Sequence, residues 1–183
     1  SHIVAAHAAA RKVSGFMMMP YGALNTTVAT FCSQNLGAGE IARIKKGIRN
    51  CILVAWAWSV AVVIFGLTPL CNFTLQWLIG ADKTEAINIA VYYLRINTPF
   101  YFVLAVLLVL RCAMQGLSRG VVPVVSSFIE LVGKIVIAFI FAPMLGYLGI
   151  AISEPIIWIL CAGWLTFSLF TDKNLFPRKQ KIK

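Results

Sequence analysis

Residues 121–142 read VVPVVSSFIELVGKIVIAFIFA, and the charged pair within them decides the fold. As a helix the stretch would extend ~33 Å, enough to cross the hydrocarbon core of a bilayer. Yet Glu130 and Lys134 lie inside it. A charge at mid-bilayer costs roughly 2.5–3.5 kcal/mol on insertion scales, so both must face protein or a water-filled cavity. Spaced i, i+4 with the acid first, they share a helical face and can pair. Ser126 and Ser127 lie one turn earlier on that side. Such a helix needs lipid on one face and protein partners on the other.

The rest of the chain agrees. It has 183 residues, 60% of them hydrophobic and 12% charged, with a mean hydropathy of +0.86. Soluble domains carry about twice that charged fraction, and a chain this short has too little interior to hide so much apolar surface from water. An all-α, polytopic membrane bundle is therefore predicted. The net charge of +10 does not point to nucleic acid. Its basic residues gather in short segments and a tail between apolar runs, the distribution of cytoplasmic membrane loops.

Cys32, Cys51, Cys71, Cys112 and Cys161 are scattered one per apolar run. With neither CxxC spacing nor a Cys/His cluster, they read as small packing residues rather than metal ligands or disulfide partners. No Ser/His/Asp arrangement or metal-ligand cluster offers enzymatic chemistry a catalytic residue or a cofactor. Gly37 to Ala42 match G-x-G-x-x-A, but the preceding run is membrane-length and basic residues follow at once. The glycines read as a helix end rather than a dinucleotide site. His2 and His7 read as surface residues. Ser1 is followed by no signal-peptide pattern, and the reading expects a piece of something longer.

Five spans are predicted, at about 13–36, 50–79, 96–117, 121–142 and 147–170, making a bundle over 1–171. The first carries Pro20 and a polar stripe of Asn25, Thr26, Thr27 and Thr30, and Pro69 interrupts the second. A short interfacial helix is predicted over 84–95, with Asp82 and Glu85 spaced as a capping box at its start. Residues 172–183 form a basic tail. Arg43, Lys45, Lys46, Arg49, Arg119, Lys173, Arg178, Lys179, Lys181 and Lys183 fall on one side of the spans, against Arg11, Lys12, Lys83 and Arg95 on the other. The first side should be cytoplasmic, and the C-terminal tail with it.

That orientation sets depths. By helical rise, Arg111 lies roughly 10 Å and Glu130 roughly 14 Å from the cytoplasmic ends of their spans. Lys134 lies about 12 Å, and Glu154 about 10 Å, from the outer ends. Arg111 and Glu130 can therefore meet at one level, and Lys134 and Glu154 at another. These four are the candidates for coupling or substrate contact, with a structural network as the competing role. Asn25, Thr26 and Thr30 are candidate polar residues of a cavity, although such groups commonly serve helix–helix hydrogen bonds.

Several stretches resemble one family. Residues 30–39, TFCSQNLGAG, resemble the TFxxQNxGAG ending of a span in the multidrug and toxic compound extrusion (MATE) family. Residues 80–94 resemble the segment before that family's tenth span. Arg111 to Leu117, RCAMQGL, resemble its RxxLQG segment with Met114 in place of Leu. Ile129 to Lys134, IELVGK, resemble its xELxGR stretch with Lys in place of Arg, and GYLGI at 146–150 followed by EPIIW at 154–158 resembles the start of its last span.

The resemblance implies spans eight to twelve of a twelve-helix, two-lobed transporter, an incomplete six-helix C-terminal lobe. The N-terminal lobe would be a missing partner. The implied function is part of a secondary antiporter in the plasma (bacterial inner) membrane. It would export organic cations and other small amphipathic compounds in exchange for Na⁺ or H⁺. The acid that some members carry on the tenth span has no counterpart here, where Arg111 is the only charge, so the coupling ion is not assigned. Two rivals remain: a lipid-linked-sugar flippase of the same superfamily, and a truncated membrane protein without transport of its own.

Overall fold

A computed structural model describes residues 2–80, 83–172 and 175, and among these every regular element is helical. The first helix, α1 (His2–Gly37), is 36 residues long and starts eleven residues before the apolar run on which its prediction was based. Alanines at 5, 6, 8, 9 and 10 are strong helix formers and carry the helix back to its first turn. Its far end is a Schellman cap. Glu40 N–H donates to the Asn35 carbonyl at 2.9 Å and Gly39 N–H to that of Leu36 at 3.0 Å, with Gly39 at φ +73°. The GAG stretch is thus a helix end.

The next helix, α2 (Ile41–Leu67), begins at once. Arg43, Lys45, Lys46 and Arg49, predicted to lie in a loop, occupy its first turns instead. Thr68 is extended and Pro69 opens α3 (Pro69–Ile79), so the interruption predicted at Pro69 is a helix break. The predicted cap Asp82 lies outside the described residues, and Lys83 precedes α4 (Thr84–Asn97) without a side-chain cap bond.

The short helix predicted over 84–95 does not stand apart. A 3₁₀ turn at Thr98–Phe100 joins α4 to α5 (Tyr101–Gly116), and the two make one apolar run from Thr84 to Gly116. Pro99 removes a backbone donor without ending the helix, because the turn tightens around it. Then come α6 (Val121–Val136), a π-helical turn at Ile137–Phe141, the four-residue α7 (Ala142–Leu145) and α8 (Tyr147–Thr171). Of the basic tail, only Asp172 and Leu175 belong to the described residues, and Arg119 holds Asp172 at 2.8 Å.

Among the described residues, four helical runs are long and apolar enough to cross a membrane: Ile41–Leu67, Thr84–Gly116, Val121–Ile140 and Tyr147–Thr171. The first predicted span, residues 13–36 of α1, is helical but too polar to count with them. At the centre stands α5, which packs on α1, α2, α6 and α8. Leu104, Ala105, Leu107, Val109, Leu110, Ala113 and Met114 are buried around its circumference, the pattern of an enclosed helix. By contrast α6 is peripheral. It rests on α8 and presents Val124, Phe128, Leu131, Ile135 and the following Phe139 outward, which a water-facing helix would not do.

A backbone group freed by a proline is met by a side chain. Pro155 cannot donate to the Ala151 carbonyl, and Asn97 Nδ2 of α4 does so instead at 3.2 Å. Side chains also reach carbonyls that no proline frees: Trp58 donates to that of Met17 in α1 at 2.9 Å. Trp164 reaches that of Val122 at 3.2 Å. The tryptophans thus tie helices together as well as packing.

Candidate functional site

Five helices turn one stripe each towards a common cleft of about 430 Å³. From α1 come Arg11, Ser14, Gly15 and Met18; from α4, Tyr93 and Asn97; from α5, Tyr101, Leu104, Leu107, Leu108 and Arg111. Glu130 and Lys134 of α6 and Glu154 and Trp158 of α8 complete it. Within each helix these positions repeat at three or four residues, so a single face of each contributes. The charged residues avoid the apolar exterior because only this face offers them partners.

Arg111 and Glu130 meet as their depths predict. Arg111 Nη2 donates to Glu130 Oε2 at 3.1 Å and to Ser126 Oγ at 3.0 Å. The other carboxylate oxygen, Oε1, accepts from Lys134 Nζ at 2.8 Å across one helical turn. The predicted Lys134–Glu154 pair is not formed. Glu154 is held by Arg11 Nη1 at 3.1 Å. Equal depth fixes level but not azimuth, and α1 brings its guanidinium to α8 first. Arg11, assigned to an outer flank, is therefore a site residue that the sequence reading missed. Its phase with Ser14, Gly15 and Met18 was the available signal.

Two polar groups of the wall, Asn97 Oδ1 and Arg111 Nε, are buried without a partner among the described residues. Above the apolar floor, Tyr101 and Trp158 meet edge to face with centroids 5.8 Å apart. Near the start of α1, His7 packs edge-on against Tyr93 at 5.1 Å and Tyr147 at 6.5 Å, so it is a packed residue and not a surface one. Burial, and next the Arg11 charge, push its pKa below the ordinary histidine range, with Glu154 opposing.

The polar stripe of α1 does not line the cleft. Thr26 and Thr27 turn their hydroxyls back to the Gly22 and Ala23 carbonyls at 3.3 and 2.9 Å rather than bonding another helix. Thr30 is exposed, and Asn25 Oδ1 is buried without a partner among the described residues. Asn25 lies two turns beyond Met18 on the same stripe of α1, on the far side of Pro20.

An all-helical bundle with four membrane-length apolar runs among the described residues and five charged side chains on one cleft has the architecture of a polytopic membrane protein. The chain matches the MatE family over residues 1–140, and it belongs to that family. No curated protein and no solved structure matches it. Membership supports a transport function of the MATE antiporter superfamily, whose members are transporters rather than enzymes.

Proposed function

We propose that this bundle is the C-terminal lobe of a secondary antiporter, and that the charged cleft is the wall it turns towards substrate. The observation that carries the reading is the cleft itself. In a chain with 12% charged residues, five ionised side chains from four helices converge on one face, where a purely structural bundle would bury apolar groups. Residues 13–36 of α1 serve as the fifth span, and the basic start of α2 faces the cytoplasm together with Arg119 and the tail. Residues 1–171 form the membrane body. Arg111, Glu130, Lys134 and Glu154, now with Arg11, contact substrate or coupling ion. Of the polar candidates on α1, Asn25 continues the stripe of Arg11 and Met18 below Pro20, whereas Thr26, bonded back to the Gly22 carbonyl, and the exposed Thr30 do not.

Transport runs by alternating access, in which two lobes rock about a midplane site, so the bundle works with an N-terminal lobe. Small amphipathic compounds leave in exchange for Na⁺ or H⁺ across a plasma membrane. The flippase reading gains one observation, the third cation Arg11. Each of the three cations is nevertheless held by a carboxylate, whereas a pyrophosphate would need a larger uncompensated surplus. The antiporter reading is therefore kept.

The test is dye efflux from cells expressing this chain with and without a matching N-terminal lobe. Efflux only with both supports a lobe. Efflux from the 183-residue chain alone refutes the two-lobe account, and none under either condition refutes transport.

A further inference from the structure

We infer that the cleft takes an amphipathic organic anion, a single carboxylate on an apolar or aromatic body. The inference rests on reading the cleft as a substrate wall, and it names the charge class that wall selects. Arg11, Arg111 and Lys134 line the cleft against Glu130 and Glu154. Three cations against two carboxylates leave one positive charge. An organic cation entering here would be repelled, and a monoanion would bring the site to neutrality.

The surplus has an address. Arg11 and Glu154 satisfy each other one to one. Glu130 is divided between two cations, with Oε2 on Arg111 and Oε1 on Lys134. Both cations keep donor capacity. Of the five N–H groups of Arg111, those on Nη2 serve Glu130 and Ser126 and Nε is enclosed, which leaves the two on Nη1 as donors for a ligand. Lys134 has three donors and a side chain 48% exposed to the cleft mouth. A carboxylate seated between them would accept charge-assisted bonds, the strong kind. The body has its own surface in Met18, Leu104, Leu108 and the Tyr101–Trp158 pair. At about 430 Å³ the cleft falls within the usual range of small-molecule sites.

The experiment compares two ligands with one ring system, naphthoate and naphthylmethylammonium, titrated onto the full chain in nanodiscs of neutral lipid. Naphthoate should bind at least roughly tenfold more tightly, the factor expected of one charge-assisted contact. Lys134→Gln and Arg111→Gln should each weaken naphthoate by about tenfold. Glu130→Gln, which raises the cleft charge, should tighten it. Because Lys134 is the more exposed cation, its variant keeps the test alive if Arg111→Gln does not fold. Tighter binding of the ammonium would overturn the charge assignment and leave the substrate-wall reading intact. Naphthoate binding indifferent to both Lys134→Gln and Glu130→Gln would overturn it as well. Binding of neither ligand would remove the inference and the substrate wall together, and binding of inorganic pyrophosphate in place of naphthoate would refute the requirement for an apolar body.

Discussion

Replacing Glu130 by glutamine tests how far the cleft's charges also hold the bundle together. The carboxylate takes Lys134 at 2.8 Å and Arg111 at 3.1 Å, one on each oxygen. A glutamine has one carbonyl oxygen and an amide donor, so it can serve one of the two cations and must turn N–H groups towards the other. Exposed ion pairs are worth about 0.2–1 kcal/mol, and removing one partner of a fully buried pair costs about 3–5 kcal/mol. Glu130 has 30% of its side chain exposed and Arg111 20%, so the loss should lie between these limits, at about 2 kcal/mol. For a chain of this size that lowers the melting temperature by roughly 4–8 °C.

Lys134→Gln supplies the contrast. It leaves the Arg111–Glu130 pair in place and removes the half-exposed cation, so its cost should stay under about 1 kcal/mol. A thiol-reactive dye in detergent provides the readout, because Cys32, Cys71 and Cys161 are buried in the folded bundle and react only when it opens. If Glu130→Gln melts within about 1 °C of the parent, a shift too small for any such loss, the triad does not stabilise the fold. Equal losses in the two variants would show that the pair with Arg111 has no special weight. Transport assays on Glu130→Gln and Glu154→Gln then separate the roles. If both lower expression and neither alters the pH dependence of transport, the charges are structural.

Three further outcomes are expected. Gly116→Ala should sharply lower the yield of folded protein, because its new Cβ would meet the Ala29 carbonyl oxygen of α1. Backbone cannot give way as a side chain can, and overpacking of this kind costs about 1–3 kcal/mol; a variant melting like the parent would refute the close approach of α1 and α5. Ser118→Gly should raise stability by about 0.5–1 kcal/mol, since Ser118 holds φ +60° at the position after a helix where glycine is unstrained. Its melting temperature should rise by roughly 1–4 °C, and no rise would mean that the cap is not strained. At His7 the folded chain holds the proton less tightly than the unfolded chain does. Stability at that residue is therefore complete above about pH 6.5 and is lost as pH falls below it. Melting curves between pH 5 and 7.5 should show that loss in the parent and less of it in His7→Asn, and equal slopes would refute the assignment.

How much of this was legible in the sequence depends on whether a feature is local or lateral. The i, i+4 pair of Glu130 and Lys134, the meeting of Arg111 with Glu130, and the helix end at Gly39 follow from spacing, depth or backbone chemistry, and all three are present. The Arg11–Glu154 pair is different. It depends on which helix stands beside α8 and at what rotation, and hydropathy carries no such information. Boundaries failed for a related reason. Apolar onset marks a span and not the onset of its helix, so hydropathy alone leaves the alanine-rich first turns of α1 and the basic first turns of α2 outside their helices. Sequence separates a short helix over 84–95 from a span that starts at 96, whereas packing of Ala90, Leu94 and Asn97 against the rest of the bundle keeps the chain helical across that boundary. The π-helical turn at Ile137–Phe141 had no sequence signal at all, since isoleucine, alanine and phenylalanine suit an ordinary helix equally well.

The breaks and the charges nonetheless share helices in a way that links the two. Glu154 is followed directly by Pro155. Lys134 stands one turn before the π-helical segment, and Asn97 borders the 3₁₀ turn at Pro99. Arg11 lies above Pro20 on α1. Arg111 sits on Tyr101–Gly116, the most enclosed helix of the bundle. A bend at any of these four places would move one charged or polar group relative to its guanidinium. Coulomb energy varies inversely with separation and is larger where water is scarce, so small bends change the balance between Glu130 shared by two cations and Glu130 held by one. Charge pairing in the cleft and the shape of the surrounding helices are for that reason a single coupled variable, with Arg111 as its reference point.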